Sequence, residues 1–250
     1  MPFRRRGAFG SRGRGLSSPP PERPEPVAEA PAGAPEEAES GEDEAIRKRH
    51  AAHLLAFARE AAGHLAGPTQ DVWFDRLERE HDNFRAALTW SHSIPGAVAL
   101  ELSLAGTLWL FWWMRGHLTE GWQAVSAALT RAAEDDHTAA HAQALHGAGG
   151  LSWSRGDPAA AATFFEKCVT IRRELGDQRG TAQSLSNLGS VYVTLGDFVR
   201  AKGCIEAALA IGQALGDQNA VGLAYGNLGD QAYFQNDLDG AQHYWSQARA

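Results

Sequence analysis

The sequence predicts an all-α protein, an α-solenoid in which antiparallel helix pairs stack side by side behind a disordered N-terminal tail. A 13-residue segment occurs three times, beginning at residues 145, 185 and 225 and therefore at a constant step of 40. The tetrapeptide Leu-Gly-Asp-Gln at 175–178 returns at 215–218 with the same step. No segment shows the alternation of apolar and polar residues that a strand would need. A supersecondary unit repeated at a fixed period is typical of a stacked array.

The bulk composition argues against several classes of protein. The 250 residues include 23 basic and 30 acidic side chains, and the net charge of −7 argues against a general affinity for nucleic acid. The two cysteines, Cys168 and Cys204, form no C-x-x-C pair, which indicates free thiols in a reducing cytoplasm and neither a disulfide framework nor a zinc site. Since no apolar run follows the basic start of the chain, a secretory signal is not expected.

Residues 1–42 are predicted to be a disordered tail, because they hold eight of the eleven prolines and almost no large apolar side chains. Its basic residues cluster near the start, at Arg4, Arg5, Arg6, Arg12 and Arg14. One interpretation is a weak contact with nucleic acid or an anionic membrane. A solvated leader or a misassigned start codon is favoured. At cellular salt concentration, screening leaves so short a basic run with little attraction for nucleic acid or an anionic membrane.

Residues 43–96 are predicted to form an N-terminal helix pair. Apolar residues at helical spacing indicate a first helix over 45–65, which Gly67 and Pro68 end. Thr69 is the predicted N-cap of a second, continuous helix that reaches about Ser91.

Residues 97–250 are predicted to form four helix pairs of the array. Their bounds are 97–115 with 118–133, 138–155 with 158–175, 178–195 with 198–215, and 218–235 with 238–250. Glycines at 116, 156, 176, 196 and 216 are expected to end helices in the left-handed conformation, and aspartates at 157, 177, 197, 217 and 237 to cap the helices that follow. The last helix ends at Ala250, earlier than its counterparts, so we expect either a truncated chain or apolar surface that invites self-association.

The segment 94–114 is apolar enough to raise the alternative of a membrane span. Its length permits a span, and Glu101 is its only charged residue. A buried repeat helix is favoured instead, because Gly116 precedes Gly156 by one repeat step and an acid in mid-span is costly in lipid.

The third repeat resembles a tetratricopeptide repeat (TPR) in Leu188-Gly189, Tyr192, Gly196-Asp197, Ala201, Ile205 and Ala208. The resemblance implies a right-handed TPR superhelix in which Gly149, Gly189 and Gly229 make matching tight contacts within successive hairpins. The step of 40, longer than the usual ~34, is similar to that of kinesin light chains. The first pair departs from the pattern at Trp109, which should push its helices apart unless Gly121 opposite makes room.

A second resemblance covers residues 43–175 and is carried by residues 49–58 and 73–88. This region is similar to the segment that follows the ATPase in bacterial signalling ATPases and LuxR-type regulators. The sequence contains no G-x-x-x-x-G-K-[ST] motif. The resemblance therefore implies the sensor region of a regulator without its ATPase, so that ATP hydrolysis and DNA binding do not carry over.

No constellation of residues suggests catalysis, and we expect neither an enzyme nor a cofactor. His137 and His141 lie one helical turn apart, but His146 is rotated away from them, so no metal site is expected there.

The TPR resemblance implies that the first helix of each pair lines a concave groove, where a protein or peptide would bind. The expected groove residues are Trp113, His146, Trp153, Asn187, Ser190, Asn227, Asp230, Tyr233 and Phe234, with Met114, Gln143, Gln183, Ser186 and Gly226 beside them. Asn187 and Asn227 are equivalent, and their amides could bond an extended peptide or simply face water. The aromatic residues could anchor a ligand or pack between repeats. Since these positions carry no Lys or Arg, a carboxylate clamp is not expected.

The function predicted from the sequence is a cytoplasmic, non-enzymatic module that binds a protein or peptide, as part of a signalling regulator. Two alternatives remain open. One is a transcription-regulator fragment that contacts nucleic acid through its basic tail, and the other is a TPR protein attached to a membrane through 94–114.

Overall fold

The computed structural model describes residues 34–65, 67–133 and 135–249, and within these ranges every regular element is helical. The architecture below is that of residues 41–250, which form one compact unit. The prediction of an all-α fold is confirmed. The predicted disorder of residues 1–33 lies outside the described residues. Residues 34–42 belong to a helix, which differs from the predicted disordered tail.

Eleven α-helices and one 3₁₀ turn occur in the described part of the chain. They are α1 (Ala34–Ala62), α2 (Gln70–Arg79), α3 (His81–Ser93), the 3₁₀ turn (Pro95–Ala97), α4 (Val98–Arg115), α5 (Leu118–Arg131), α6 (Ala139–Ser154), α7 (Pro158–Glu174), α8 (Gln178–Thr194), α9 (Phe198–Leu215), α10 (Gln218–Phe234) and α11 (Leu238–Gln247).

The prediction of one continuous helix from Thr69 to Ser91 is wrong. The helix is interrupted at Glu80, whose φ of −92° and ψ of 3° leave the helical region, and α2 and α3 lie on either side. The break lets Phe74 of α2 and Phe84 of α3 reach the same buried core cluster. Thr69 does occupy the N-cap position, but its side chain makes no capping hydrogen bond there.

The predicted turn chemistry of the array is confirmed. The five capping aspartates accept hydrogen bonds from the backbone N–H three residues later, at N···O distances of 2.9–3.1 Å. The five predicted helix-ending glycines have φ between 65° and 84°, the left-handed region that a side chain disfavours. In the last repeat, Asn236 takes this role at φ 63°, because its short side chain tolerates that region better than most.

Each of the last three helix pairs closes through a glycine in its first helix and a large side chain in its second. A methyl group at Gly149, Gly189 or Gly229 would collide with the side chain 16 residues later, which is Phe165, Ile205 or Trp245. The predicted tight contacts are therefore confirmed at matching positions of three successive hairpins. They explain why these sites carry no side chain, since the two helices meet there at the closest distance.

The first pair accommodates its bulky Trp109 in a way that the sequence did not reveal. Gly121 does make room in this pair, but for Trp112, whose ring would lie 2.9 Å from an added methyl group. Trp109 instead packs across the repeat boundary against Gly147 and Gly150 of α6. The helices of the first pair are therefore not forced apart, because two glycines of the next repeat receive the indole ring.

Helix α4 is apolar because many of its side chains are buried in the hydrophobic core. The segment Pro95–Arg115 is long and apolar enough to cross a membrane by length and composition. In the structure, however, Leu102, Leu104, Leu108 and Phe111 are buried in the main hydrophobic cluster. The one acidic residue of α4 is buried as well and is fully engaged by protein partners.

That residue, Glu101, is 2% exposed and pairs with Arg131 of α5 and with His92 of α3, the latter at 2.8 Å. The guanidinium of Arg131 also donates to the carbonyl oxygens of Ser91 and Ile94, at 3.0 and 2.9 Å. This buried network ties the end of α3 to the first repeat, since a carboxylate that is removed from water needs such partners.

The first helices of the pairs form an inner row. Among the described helices, α4 contacts α6, α6 contacts α8, and α8 contacts α10, whereas α5, α7, α9 and α11 do not contact one another. Each of α5, α7 and α9 instead contacts the first helix of the following pair. A row of helices that touch one another lies on the inside of the curve, so α4, α6, α8 and α10 line the concave side of the array.

Candidate functional site

The surface of α4, α6, α8 and α10, called here the first-helix face, carries a row of large side chains near the C-terminal ends of these helices. Four equivalent positions follow one another at 40-residue steps, namely Trp113, Trp153, Val193 and Tyr233. Their exposed fractions are 45%, 36%, 8% and 55%. The three aromatic residues are thus partly exposed at equivalent positions of their repeats. The smaller, buried Val193 lies between Trp153 and Tyr233.

The rings at the two ends of this row, Trp113 and Tyr233, each contact further aromatic side chains. The Trp113 ring stacks on Trp109 at a centroid distance of 6.4 Å. Tyr233 lies 6.1 Å from Phe234, which is also exposed, and 5.9 Å from Trp245. The Trp113 and Tyr233 rings are therefore held by neighbouring rings on one side and remain exposed on the other.

Apart from Glu101 of α4, which is buried, and Arg115 of α4, which is paired with Asp75, the first-helix face carries very little charge. Helix α6 contains no Asp, Glu, Lys or Arg, α8 contains only Arg179, and α10 contains only Asp230. Arg179 forms an ion pair with Asp217 at 3.2 Å, and Asp230 accepts a hydrogen bond from the indole N–H of Trp245 at 3.0 Å. The side chains offered to a ligand are thus mainly aromatic rings, hydroxyls and amides.

The two equivalent asparagines link neighbouring repeats. The amide nitrogen of Asn227 donates to the carbonyl oxygen and the hydroxyl of Ser186, at 3.2 and 3.0 Å. The amide nitrogen of Asn187 lies 3.4 Å from Nε2 of His146. Each asparagine therefore reaches the residue 41 positions earlier, in the preceding repeat. Both side chains are half-buried, and among the described residues their amide oxygens, which are hydrogen-bond acceptors, have no partner.

His146 does not line the face, which corrects the prediction made for it. Its side chain is 1% exposed and is enclosed edge-on by the rings of Trp109 and Phe165, at centroid distances of 5.5 and 5.4 Å. Burial, with the nearby positive charge of Arg172, lowers the pKa of His146 to about 3. The imidazole is therefore neutral at pH 7 and can accept at Nε2 from Asn187 while Nδ1 donates to Ser184.

A buried polar network centred on Arg172 supports the face from beneath. The guanidinium donates to the carbonyl oxygen of Gly180 and the hydroxyl of Ser184, both at 2.7 Å, and to the side-chain oxygen of Gln143 at 2.9 Å. Gln143 in turn donates to the carbonyl oxygen of Gly106 at 3.0 Å. The network connects α4, α6, α7 and α8. Sequence spacing did not reveal it, because Arg172 looks like any basic residue in the last turn of a helix.

The remaining predicted groove residues differ in exposure. Ser190 is half-buried and donates back to the carbonyl oxygen of Ser186 at 3.3 Å, whereas Met114, Gln183 and Asp230 are exposed. Ser186 itself is buried, and Gln143 and Gly226 are half-buried. The exposed part of the predicted set thus reduces to Trp113, Met114, Trp153, Gln183, Asp230, Tyr233 and Phe234.

The three histidines that were considered as metal ligands face different partners. His137 pairs with Glu174, His141 bonds the backbone oxygen of Asp136, and His146 is enclosed as described. They do not converge on one point, in agreement with the rotation expected from their spacing.

Comparison with known families identifies the repeats. Residues 140–213 match the model of the tetratricopeptide repeat family. This part of the chain consists of tetratricopeptide repeats. The matched residues span α6 to α9 and include the glycine–large contacts at Gly149 and Gly189 described above. The comparison with curated protein sequences found no match.

Solved structures with a similar fold include other repeat proteins of this kind. BtubC (BKLC) from P. vanneervenii is 18% identical with a TM-score of 0.58, over 81% of this chain and 89% of that one. The nearly identical TPR-like repeats of a putative kinesin light chain from Podosopora anserina are 15% identical with a TM-score of 0.52, over 70% and 91%. MamA is 19% identical with a TM-score of 0.50, over 70% and 92%. The predicted TPR fold, including its similarity to kinesin light chains, is thereby confirmed.

Proposed function

We propose that this TPR protein is a non-enzymatic interaction module whose first-helix face binds an extended, weakly charged segment of a partner protein. The TPR fold is typical of protein-interaction modules, and proteins of this family are generally non-catalytic scaffolds. The observation that supports the finer proposal is the aromatic row of Trp113, Trp153 and Tyr233 on a face almost free of charge. Partly exposed aromatic rings that are already held in place are the side chains that most often anchor a partner.

The spacing of the row favours a particular pattern in the ligand. Packed helices lie about 8–10 Å apart, and a peptide in the extended polyproline II conformation advances about 3.1 Å per residue and directs every third side chain to the same side. Successive repeats are therefore separated by about three residues of extended chain. A ligand with apolar side chains at every third position would place one of them beside each ring of the row.

The half-buried asparagines supply the polar contacts in this proposal. The amide oxygens of Asn187 and Asn227 would accept hydrogen bonds from the backbone N–H groups of the ligand, since their nitrogens are engaged by the preceding repeat. Such contacts hold an extended backbone without selecting side chains, and the rings would select them.

The experiment is selection of binders from a random peptide library displayed on phage, followed by calorimetry with the selected peptides. Trp153→Ala and Tyr233→Ala should each weaken binding by about 2 kcal/mol or more, as expected for interface anchors. Val199→Ala is the matched control, because Val199 is an exposed apolar residue on α9, which lies outside the first-helix face. If the control weakens binding as much as the two aromatic variants, or if the aromatic variants bind like the wild type, the proposal is wrong.

We further propose that the module is the cytoplasmic sensor region of a bacterial signalling regulator. The support is the resemblance of residues 49–58 and 73–88 to the segment after the ATPase in such regulators. The two free cysteines fit a reducing compartment. Fractionation of cells, with detection of the full chain, tests the location and distinguishes it from attachment to a membrane.

Self-association at the last repeat is a separate proposal about partners. Tyr233, Phe234 and Leu238 are exposed there, and an exposed apolar patch favours association. Sedimentation equilibrium of the wild type and of Phe234→Ser measures it. An unchanged monomeric mass for both proteins would contradict it.

A further inference from the structure

Three potential metal ligands converge at the junction between the N-terminal helices and the first repeat. Glu78 lies near the end of α2, His81 begins α3, and His117 lies between α4 and α5. One ligand atom from each lies within 4.8 Å of the other two. Among the described residues no other group of three His, Cys, Asp or Glu side chains meets this criterion.

The distances between these atoms are close to those that a bound ion imposes. Nε2 of His117 lies 3.2 Å from Oε1 of Glu78, and Nδ1 of His81 lies 3.7 Å from the same oxygen. A tetrahedral zinc ion with bonds of about 2.0–2.1 Å keeps its ligand atoms about 3.3 Å apart. Only small side-chain shifts would bring the three atoms into that geometry.

The second ring nitrogen of His81 has the partner that a metal-bound histidine requires. Nε2 lies 2.8 Å from Oε1 of Glu120, and Arg85 holds this carboxylate with hydrogen bonds of 2.9 and 2.6 Å. An anionic acceptor at Nε2 fixes the proton there and leaves the lone pair of Nδ1 directed towards Glu78. A carboxylate behind the ligating imidazole is the usual outer arrangement of histidine–zinc sites.

Neighbouring side chains contact the rings of His81 and His117 and the carboxylate of Glu78. The His81 ring is buried edge-on against Phe111, at a centroid distance of 5.1 Å, and lies 4.4 Å from the ring of His117. The guanidinium of Arg115 lies 3.9 Å from Oε2 of Glu78, the carboxylate oxygen that does not contact the histidines. Because Arg115 is also paired with Asp75, its charge is partly balanced.

We propose that Glu78, His81 and His117 bind one Zn²⁺ ion, with water as the fourth ligand. Two imidazole nitrogens and one carboxylate oxygen form a donor set that zinc takes in proteins, and imidazole ligands select it over Mg²⁺ or Ca²⁺. The ion connects α2 and α3 to the turn of the first repeat, so it fixes the N-terminal helices on the array. The proposal is independent of the peptide-binding function, because the ligands lie outside the first-helix face.

The test is a Zn²⁺ titration of the full chain after removal of metals with a chelator, followed by equilibrium dialysis and calorimetry. One equivalent should bind with a micromolar or lower Kd. His117→Ala should weaken binding at least about 100-fold, which exceeds the ~10–100-fold cost of losing an outer partner. His137→Ala is the matched control, because His137 is an exposed histidine that also pairs with a glutamate, and it should bind like the wild type.

Two further variants test the roles of Glu120 and Glu78 in Zn²⁺ binding. Glu120→Gln should weaken binding about 10–100-fold while the stoichiometry stays at one, as expected for an outer partner. If circular dichroism shows that His117→Ala is unfolded, Glu78→Gln replaces it, because Glu78 is exposed and the change is isosteric. Binding of Co²⁺ should produce the strong visible absorption of a four-coordinate ion. Absence of stoichiometric Zn²⁺ binding, wild-type affinity in both ligand variants, or an equal loss in His137→Ala would overturn the proposal.

Discussion

Replacing Gly149 with alanine should weaken the contact between α6 and α7. In the structure an added methyl group would lie 2.8 Å from two ring carbons of Phe165, a residue that is completely buried. Because contacts this short do not persist, the ring or the helix must move. Overpacking of this kind costs about 1–3 kcal/mol. The gain in helix propensity from glycine to alanine offsets about 0.8–1.0 kcal/mol, so the net loss should be between about 0 and 2 kcal/mol.

A matched control separates the two contributions. Gly203 also lies inside a helix, α9, but it is exposed and an added methyl group would meet no atom within 4 Å. Gly203→Ala should therefore stabilise the protein by up to about 1 kcal/mol. The unfolding free energy of Gly203→Ala minus that of Gly149→Ala should be about 1–3 kcal/mol, since helix propensity cancels in this difference.

The assay is urea unfolding monitored by circular dichroism, with hydrogen exchange of the amides in α6 and α7. Exchange is needed because a repeat array can unfold in steps, and a local loss then escapes a global measurement. The double variant Gly149→Ala/Phe165→Leu should regain part of the loss, because leucine vacates the space of the ring edge. Equal stabilities of the two glycine variants, or no recovery in the double variant, would show that the glycine contact does not limit the approach of the helices.

Three further predictions concern polar groups in the stack. Asn227→Asp removes the donor that holds the preceding repeat and should cost about 1–3 kcal/mol in urea unfolding, whereas the exposed control Asn219→Asp should cost little. Arg131→Met leaves the buried Glu101 carboxylate with only a histidine partner and should cost near the lower end of about 3–5 kcal/mol, much of it recovered when Glu101 is also replaced by Met. The pKa of His146, about 3 in the folded chain, lies below the ~6.5 of an unfolded histidine. The stability that depends on its neutral form is therefore complete above pH 6.5 and is lost as the pH falls, so the wild type should lose about 2 kcal/mol between pH 7.5 and 5 that His146→Gln does not lose.

Most of the array was predictable because its turns and close contacts are local. Gly156 and Asp157, for example, specify a helix end and the next helix start from two adjacent residues. Gly149 is equally informative, since the TPR resemblance implies a tight contact at this position within its hairpin, and the structure places Phe165 there. These features are local to one helix pair and need no knowledge of how neighbouring pairs pack.

The contacts between repeats were less predictable, because they join residues that no local pattern relates. Trp109 was expected to strain its own pair, but it packs on glycines of the next one. His146 was placed on the surface by its repeat position, but it is buried, because the Trp109 and Phe165 rings cover it. The Glu78 and His117 side chains meet across 39 positions of sequence in elements outside the regular repeat. The interruption at Glu80, which the apolar pattern of residues 69–91 does not show, brings this pair together with His81.

The scarcity of charge on the first-helix face has a consequence for how a partner would arrive. A face with strong potential attracts its partner over the Debye length of about 8 Å and raises the association rate far above the ~10⁵–10⁶ M⁻¹s⁻¹ of neutral encounters. Helices α6, α8 and α10, which carry two charged residues between them, provide no such attraction. Encounters would be governed by diffusion alone and would be nearly indifferent to ionic strength. Partners would then be distinguished mainly by the dissociation rates of their complexes.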